Sequence, residues 1–339
     1  PWLGGTGEPG GTETRMNAPG RTCPLDYGTS AAALNRPPDL QADTLYVIGG
    51  LYGNTAALAA VERQAARERT DAGLPEPRLV FNGDFNWFNA DPVAFLCINR
   101  KVLQHTAMQG NVEAELANPG PQTDCGCAYP EWISDAVVAR SNAIMGHLQE
   151  VARSAPGAAT GLGRLPRQLV ADVAGCRVGI VHGDPESLAG WRLAVENMPV
   201  PGETPPWLAG WFREAQVDVF ACSHTCLPFA QRFRVDGDPA LVINNGATGM
   251  PNFRGDRRGV VTRISRWPPP HGSLYGARIG CLYADAIAVE CVPEHWRAWF
   301  DATWPAGSAA AAAYSERLRD GPDHHLHDAA RLDPASVAG

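Results

Sequence analysis

Short apolar runs separated by turn residues recur along this chain and predict a fold built on β-strands. Residues 45–48, 79–81 and 106–109 have the pattern of buried strands, each followed by glycine or asparagine. Helical patterns alternate with these strands at residues 56–67, which are rich in alanine, and at residues 92–104, which begin with proline. This alternation predicts parallel strands that are joined by right-handed crossovers.

The second half of the chain has a different pattern, with more strands and fewer helices. Strands are predicted at residues 168–173, 177–181, 217–221, 229–233, 240–243, 259–264 and 281–290. Helices are predicted at residues 187–196, 205–215 and 294–303, all of which contain tryptophan. Because turns connect most of these strands directly, we expect this half of the sheet structure to be mostly antiparallel.

Three segments do not follow this alternation. Two of them flank a main domain of residues 41–304, and the third is inserted within it. Residues 1–40 are rich in Gly, Pro and Thr and are expected to form an extended arm. Residues 113–166 interrupt the strand pattern and are interpreted as an insertion, with the Cys125-Gly126-Cys127 loop before a helix at 132–153. Residues 305–339 are expected to be a flexible, solvated tail, although three of their side chains are histidines.

Composition narrows the class of protein. The chain has 339 residues, of which 45% are hydrophobic and 19% charged, so it can bury a large core. A net charge of −8 disfavours nucleic acid as a partner, and no apolar run is long enough to cross a membrane. The nine cysteines are an odd number and lie mostly in predicted strands, and no charged-then-apolar signal segment opens the sequence. We therefore expect reduced thiols and a cytoplasmic location.

Polar residues stand at the ends of successive predicted strands. Asp84 follows Gly83 after one strand, Asn111 follows the next, and His182 and His224 end two later strands. Because the carboxyl ends of parallel strands share one edge of a sheet, these four side chains are expected to converge. Two imidazoles, a carboxylate and an amide oxygen suit Zn, Mn or Fe. For either histidine alone a core or turn position is the favoured interpretation, but four matched strand ends together favour a metal site.

These segments, taken in order, resemble the motifs of the calcineurin-like metallophosphoesterases. That family has Asp-x-His-Gly-Asn, Gly-Asp, Gly-Asn-His-(Asp/Glu), a His after a strand, and Gly-His-x-His. The corresponding segments here are residues 48–54, 82–84, 110–113, 181–183 and 223–226, and residues 242–249 are similar to a trailing turn of the family. The resemblance covers about residues 43–292. It implies an α/β fold, a four-layer αββα sandwich with two mixed sheets flanked by helices, and metal-dependent phosphoester hydrolysis.

The resemblance also implies which residues hold metal. One of the family's two metal ions would be held by Asp84, Asn111, His182 and His224, all of which are present, and these four would also be the catalytic residues. The pocket is expected to include Asn54, Asn245, Cys125 and Cys127. We expect one divalent or trivalent ion, Mn, Fe or Zn, and a second only if the other site is rebuilt.

The other metal site departs from the family pattern. Its aligned positions are Gly50, Tyr52, Asp84 and Cys226, so that only the shared aspartate remains. Tyr52 and Cys226 either coordinate metal in a rebuilt site or simply pack. The family's proton-donating histidine corresponds to Val112, which cannot donate a proton.

Two functions from different classes follow from this sequence. The first is a diverged metal-dependent phosphoesterase-like hydrolase with weakened or altered chemistry, acting on a small-molecule phosphoester or an unknown ligand. The alternative is a catalytically inactive metal-binding or regulatory protein on the same fold. A dinucleotide loop at residues 49–53 is disfavoured, because the segment lacks the Gly-x-Gly-x-x-Gly spacing. The oligomeric state and the substrate are left open.

Overall fold

Two mixed β-sheets form the centre of the molecule in the computed structural model, which describes residues 18–22, 24–119 and 123–332. The strands, in chain order, are β1 (Leu40–Ala42), β2 (Thr44–Ile48), β3 (Arg78–Asn82), β4 (Thr106–Met108), β5 (Gln168–Val173), β6 (Cys176–Val181), β7 (Val219–Cys222), β8 (Phe229–Val235), β9 (Asp238–Asn244), β10 (Arg258–Ser265), β11 (Tyr275–Ile279), β12 (Leu282–Glu290) and β13 (Ala330–Arg331). The first sheet has the order β1-β5-β6-β7-β9-β8-β13, and the second has the order β11-β12-β10-β2-β3-β4. In the first sheet, β7 pairs in parallel with β6 on one side and with β9 on the other. In the second sheet, β3 pairs in parallel with β2 and with β4.

Helices cover the outer faces of both sheets. In chain order they are α1 (Thr55–Ala72), α2 (Pro92–Val102), α3 (Asn111–Ala117), α4 (Asp135–Ser154), α5 (Pro156–Leu162), α6 (Pro206–Ala215), α7 (Glu294–Thr303), α8 (Ala309–Asp320) and α9 (Leu326–Ala329), with short 3-10 turns at Leu25–Tyr27, Ala31–Leu34 and Val195–Asn197. None of the helices in the described residues is long and apolar enough to span a membrane.

Packing of apolar side chains produces four layers. Between the sheets, Val80 of the second sheet lies in one buried cluster with Ile180 and Ile243 of the first. Outside the second sheet, helices α1, α2, α4 and α8 pack through residues such as Leu148. Outside the first sheet, α6 packs its Phe212 against the β7 strand. The predicted class, a four-layer arrangement of two mixed sheets flanked by helices, is therefore confirmed.

One predicted helix is wrong. Residues 187–196 form a loop with a single 3-10 turn at its end, because a buried carboxylate organises the backbone there. The side chain of Asp184 accepts hydrogen bonds from the backbone N–H groups of Glu186, Ser187 and Arg192. These bonds satisfy the backbone within a turn and replace the helical ladder.

The prediction of a flexible tail is also wrong for residues 305–332. Helix α8 begins behind Ser308, whose hydroxyl accepts a hydrogen bond from Ala311 N–H, and it buries Leu318 completely. The short strand β13 then adds to the edge of the first sheet. Burial of this segment explains its order, and residues 333–339 lie outside the described residues.

The predicted arm is described only from residue 18 onward, without residue 23. Tyr27 and Leu34 are buried in this segment, so it lies against the domain. Residues 1–17 lie outside the described residues. The boundaries of the arm and of the 113–166 insertion stay predictions.

Candidate metal centre

Each of the four predicted metal-site residues lies within three residues of the end of a strand, but the strands belong to two sheets. Asp84 and Asn111 follow β3 and β4 of the second sheet, whereas His182 and His224 follow β6 and β7 of the first. The expectation of a single sheet edge was therefore too simple. The two sheets place the carboxyl ends of their parallel strands side by side, and the four residues meet between them.

The four side chains are buried and close together. Ligand atoms of Asp84, His182 and His224 all lie within 4.8 Å of one another. His182 Nε2 is 3.3 Å from Asp84 Oδ1 and 3.2 Å from Asn111 Oδ1. The centres of the two imidazole rings are 5.1 Å apart. Asp84, His182 and His224 are therefore a group that could hold a metal ion.

Backbone carbonyl groups fix which nitrogen of each histidine is free. His182 Nδ1 lies 2.7 Å from the carbonyl oxygen of Asn82, and His224 Nε2 lies 3.1 Å from that of Cys127. Because a carbonyl oxygen only accepts, these two nitrogens carry the protons and donate. A neutral His182 then directs the lone pair of Nε2 toward the site, and Nδ1 of His224 is a buried nitrogen without a hydrogen-bond partner among the described residues.

The protonation states follow from burial and from these neighbours. Burial, and after it the neighbouring His182, lowers the pKa of His224 to about 3, so that this imidazole is neutral. Burial opposes the charged form of His182, but the Asp84 carboxylate outweighs it and raises the pKa of His182 above its ordinary value. Conversely, burial raises the pKa of Asp84 while His182 lowers it further, with a net decrease. Without an ion, the Asp84 carboxylate therefore favours a proton on His182.

The Cys125–Cys127 loop holds two of the four side chains through its backbone. The amide nitrogen of Asn111 donates to the carbonyl oxygen of Cys125 at 2.8 Å, which points Oδ1 of Asn111 toward His182. The carbonyl oxygen of Cys127 accepts from His224 and also from Trp191 Nε1, at 2.8 Å. The loop was predicted to supply pocket residues or ligands. The structure instead gives its carbonyl groups an orienting role, with Cys127 lining the cavity and Cys125 buried behind it.

Unusual backbone conformations concentrate at this site. Of the eight non-glycine residues with positive φ in the described part of the chain, Tyr52, Asp84, His224 and Cys226 line the cavity. Such conformations are strained for L-residues and persist only when surrounding contacts impose them. Gly83 has φ +77°, and a Cβ atom there would lie 2.4 Å from Gly110 N. This turn therefore requires glycine.

Glu113 connects the turns that follow β3 and β4 through hydrogen bonds to their backbone. Its carboxylate accepts hydrogen bonds from the backbone N–H groups of Asp84, Phe85 and Gly110, at 2.7, 3.1 and 3.1 Å. Burial, and then the Asp84 carboxylate, raises the pKa of Glu113 to about 7. Glu113 thus positions the two turns that carry Asp84 and Asn111.

Tyr52 and Cys226, at positions where the family pattern has ligands of the other metal ion, form a hydroxyl–thiol pair next to this cluster. Tyr52 Oη lies 2.9 Å from Cys226 Sγ, and both side chains line the cavity. Burial raises the pKa of both groups, well above its usual range for Tyr52, so both are protonated without a metal ion. Among the described residues, the only metal-capable cluster of His, Cys, Asp and Glu side chains comprises Asp84, His182 and His224, and Cys226 is not part of it. Val112 is buried beside the cluster where the resemblance expects a proton donor.

Two predicted pocket residues are structural. Asn54 caps α1 and donates to the carbonyl oxygens of Gly249 and Cys291. Asn245 donates to the carbonyl oxygens of Gly49 and Val260. Neither lines the cavity. Both asparagines satisfy buried backbone groups between loops, which is the ordinary role of a buried amide.

Asp84, Asn111 and His224 line a cavity of about 360 Å³. Its wall is strongly aromatic, with Trp87, Tyr129, Trp132, Trp191 and Tyr314. One side of the wall is formed by residues 314–331, which the sequence analysis assigned to a flexible tail. The alanine-rich run behind Ser308 was a sequence signal for a helix, but not for the place of that helix in this wall. The contribution of Trp132 and Trp191 had no comparable signal.

Comparison with solved structures identifies the fold. No known family profile matches this chain, and no curated protein sequence is similar to it. A crystal structure of the hypothetical protein PH1004 from Pyrococcus horikoshii OT3 is 14% identical and covers 83% of this chain and 99% of its own, with a TM-score of 0.56. This likeness shows that the two chains share a fold.

Two further solved structures are more distant. A metallophosphoesterase from Sphaerobacter thermophilus is 17% identical over 82% of this chain and 100% of its own, with a TM-score of 0.48. A protein serine/threonine phosphatase from Saccharomyces cerevisiae is 16% identical over 78% and 88%, with a TM-score of 0.34. Of these three structures, PH1004 has the one TM-score above 0.5, and the shared fold is what that likeness shows.

Proposed function

We propose that this protein is a diverged, metal-dependent phosphoesterase-like hydrolase that holds one metal ion at Asp84, Asn111, His182 and His224. The observation that carries this proposal is the convergence of electron-pair donors. In its neutral form His182 presents Nε2 to Asp84 Oδ1 and Asn111 Oδ1, and His224 Nδ1 is buried nearby without a hydrogen bond among the described residues. Acceptors that face each other in a buried site repel, unless a proton or a cation lies between them. The donor set therefore fits a metal ion.

The mixed nitrogen and oxygen ligands suit Zn, Mn or Fe. A bound ion at this site would polarise a phosphoryl oxygen and acidify a water molecule. The protein's own residues orient that chemistry. The carbonyl oxygens of Asn82 and Cys127 hold the two imidazoles, and the aromatic wall limits access of bulk water to the site.

The position where the resemblance expects a proton donor is occupied by Val112, which has no ionisable group, and the Tyr52–Cys226 pair occupies the aligned positions of the other metal site. We therefore propose a small-molecule phosphoester with a good leaving group, such as an aryl phosphate, as the substrate class. Esters of poor leaving groups require a general acid and should react far more slowly.

The second candidate function is a metal-binding protein without catalysis. The hydrogen bond between Tyr52 and Cys226 favours it, because two buried, protonated side chains close the place where further ligands would be needed. Both functions share the metal ion and differ only in turnover.

Elemental analysis and a phosphatase assay separate these possibilities. We expect one metal ion per chain, together with slow hydrolysis of aryl phosphate mono- or diesters in the presence of Mn, Zn or Fe. Turnover must disappear in the Asp84→Asn variant to be assigned to this site. One ion with no turnover would identify the non-catalytic protein, and a purified chain that binds no metal would reject both functions.

A further inference from the structure

We propose that Arg317 is the anion-binding residue of this cavity and contacts the phosphoryl group of the ligand. The proposal rests on the proposed function, because it assigns a role beside the same metal cluster. Arg317 belongs to helix α8, in the segment that the motif resemblance does not reach. Its side chain is 7% exposed and lines the cavity that also contains Asp84 and His224.

The guanidinium group is held in place by neutral acceptors only. Nε donates to the carbonyl oxygen of Pro251 at 2.9 Å, and Nη2 donates to that of Cys226 at 2.9 Å. These two bonds fix the orientation of the planar group, and Cys226 O connects it directly to the Tyr52–Cys226 pair. A preoriented guanidinium presents a fork of donors that matches two oxygens of a phosphoryl group.

No carboxylate forms an ion pair with Arg317 among the described residues. The acidic side chains around it are engaged elsewhere: Asp320 pairs with Arg319, Asp323 lies 3.6 Å from Arg254, and Asp328 accepts from His325 N–H. Glu196 also lines the cavity, but it is an exposed residue, and it forms no ion pair with Arg317 in the part of the chain that the structure describes. A buried cation without a counter-charge is costly. Arg317 therefore has the environment of a group that pairs with an anionic ligand.

The position next to the metal cluster narrows the kind of anion. A phosphoryl group carries charge on several oxygens, and two cations on different sides of it stabilise that charge better than one. The metal cluster supplies a place for one cation, and Arg317 supplies the other in the lining of the same cavity. The aromatic side chains that also line this cavity provide contacts for the organic part of a phosphoester.

Binding of inorganic phosphate tests the proposal without turnover. Calorimetric titration of the purified protein with phosphate should give a measurable affinity, and Arg317→Met should weaken it about tenfold or more. Arg317→Lys keeps the charge but loses the fork, so its affinity should lie between the two. Arg319→Met is the matched control, because Arg319 lies on the same helix, is largely exposed and pairs with Asp320. Metal content and melting temperature are measured for every variant, since a structural role alone would change stability and leave phosphate affinity per folded molecule unaltered.

Unchanged phosphate affinity in folded Arg317→Met, or absence of phosphate binding by the wild-type protein, would overturn the proposal. If Arg317→Met does not fold, the wild-type protein provides the test: phosphate should slow modification by phenylglyoxal at Arg317 and not at Arg319, and equal rates at Arg317 with and without phosphate would overturn it. The two proposals fail separately. Turnover that persists in Arg317→Met with unchanged phosphate affinity rejects the role of Arg317 alone, whereas phosphate binding by a metal-loaded protein without turnover rejects only the hydrolase.

Discussion

The Asp84 carboxylate brings the negative charge to the candidate metal centre. It faces His182, it accepts from Val112 N–H, and it sits in a left-handed backbone conformation with φ 54°. A turn of this kind is strained for aspartate and is maintained by the hydrogen bonds of Glu113 to the surrounding backbone. The charge is therefore placed by the fold and not by the flexibility of the side chain.

Asp84→Asn should lower the metal content of the purified protein about tenfold or more, because an amide keeps the shape but removes the negative charge of the site. The measurement is elemental analysis after dialysis against a weak chelator. Asp236→Asn is the matched control, since Asp236 has φ 55° and lies exposed at a distant turn. Equal metal content in Asp84→Asn and wild type would show that the cluster is no metal site.

A second carboxylate makes a pH-dependent contribution to stability. Asp285 is 5% exposed on β12, lies 3.8 Å from Arg263 Nη1, and has an Oδ2 atom without a hydrogen bond among the described residues. Arg263 is already bound by Glu68 through two hydrogen bonds of 2.7 and 2.9 Å. Burial therefore dominates and raises the pKa of Asp285 from 3.8 to about 6.

A carboxyl group whose pKa is higher in the folded chain stabilises that chain when protonated. Its contribution is present at low pH and is lost as the pH rises through about 6. Asp285→Asn should therefore increase the free energy of unfolding by about 2 kcal/mol at pH 8, and by less at pH 5. Urea unfolding at both pH values measures this, with the exposed Asp301→Asn as control. A variant that is less stable than wild type at pH 8 would contradict the assigned cause.

At the level of single residues, the sequence was informative where a motif constrains the chain locally. Asp84, Asn111, His182 and His224 could be identified because each lies within three residues of the end of an apolar strand. Asn54 and Asn245 were misassigned, since the same residue type serves both loops and pockets and only the packing distinguishes them. Arg317 could not be identified, because nothing in its local sequence shows which cavity its helix faces.

Among the elements, the 125–127 loop has a role that its cysteines conceal. Its contacts with Asn111 and His224 are made by carbonyl oxygens, so the backbone path matters more than the thiols. Gly126 has φ +63°, and a Cβ atom there would lie 2.4 Å from Tyr27 Oη. The loop is therefore built around a position that only glycine fits.

Gly126→Ala should displace the loop and weaken metal affinity about tenfold, whereas Cys125→Ser and Cys127→Ser should change it much less. Metal affinity is measured by competition with a chromogenic chelator. Gly73→Ala is the matched control: Gly73 has φ +67°, but a Cβ atom there meets nothing within 4 Å. Strong loss of metal in the serine variants, with no effect of Gly126→Ala, would assign the loop's role to its thiols.

Helices and strands with a clear apolar pattern were predicted well. Segments whose conformation depends on tertiary contacts were predicted poorly. Residues 168–173 and 294–303 form the predicted strand and helix with the predicted ends. The segment 187–196 has a helical composition, but the carboxylate of Asp184 organises its backbone into turns. The short strands β1 and β13 pair at sheet edges and have too few residues to show a period.

At the scale of the whole molecule, the C-terminal segment is part of the domain. Helix α8 packs against α4 and the second sheet, where Leu318 is fully buried in the main apolar cluster. The sequence could not show this, because an alanine-rich, charged segment has no strong apolar face of its own and gains its structure from the surface it covers.

Leu318→Ala should lower the free energy of unfolding by about 2–5 kcal/mol, because it leaves a cavity in this cluster. Chemical denaturation monitored by tryptophan fluorescence measures the change. Leu326→Ala is the control, since Leu326 is 42% exposed in the same segment. If Leu318→Ala lowers the free energy of unfolding by less than Leu326→Ala does, residues 305–332 are a flexible tail, as the sequence predicts.

The separation between the metal ligands and the residue 314–331 wall has a consequence for how this protein can diversify. The ligands come from turns that the sheets hold rigidly, whereas the wall comes from a helix and a short strand added afterwards along the chain. Substitutions in this wall, apart from Arg317, can therefore alter which organic groups are accepted while the proposed metal site stays unchanged. In a directed-evolution experiment, variation of this segment with Arg317 retained would be the economical route to a new selectivity, because the turns that carry the proposed ligands are left as they are.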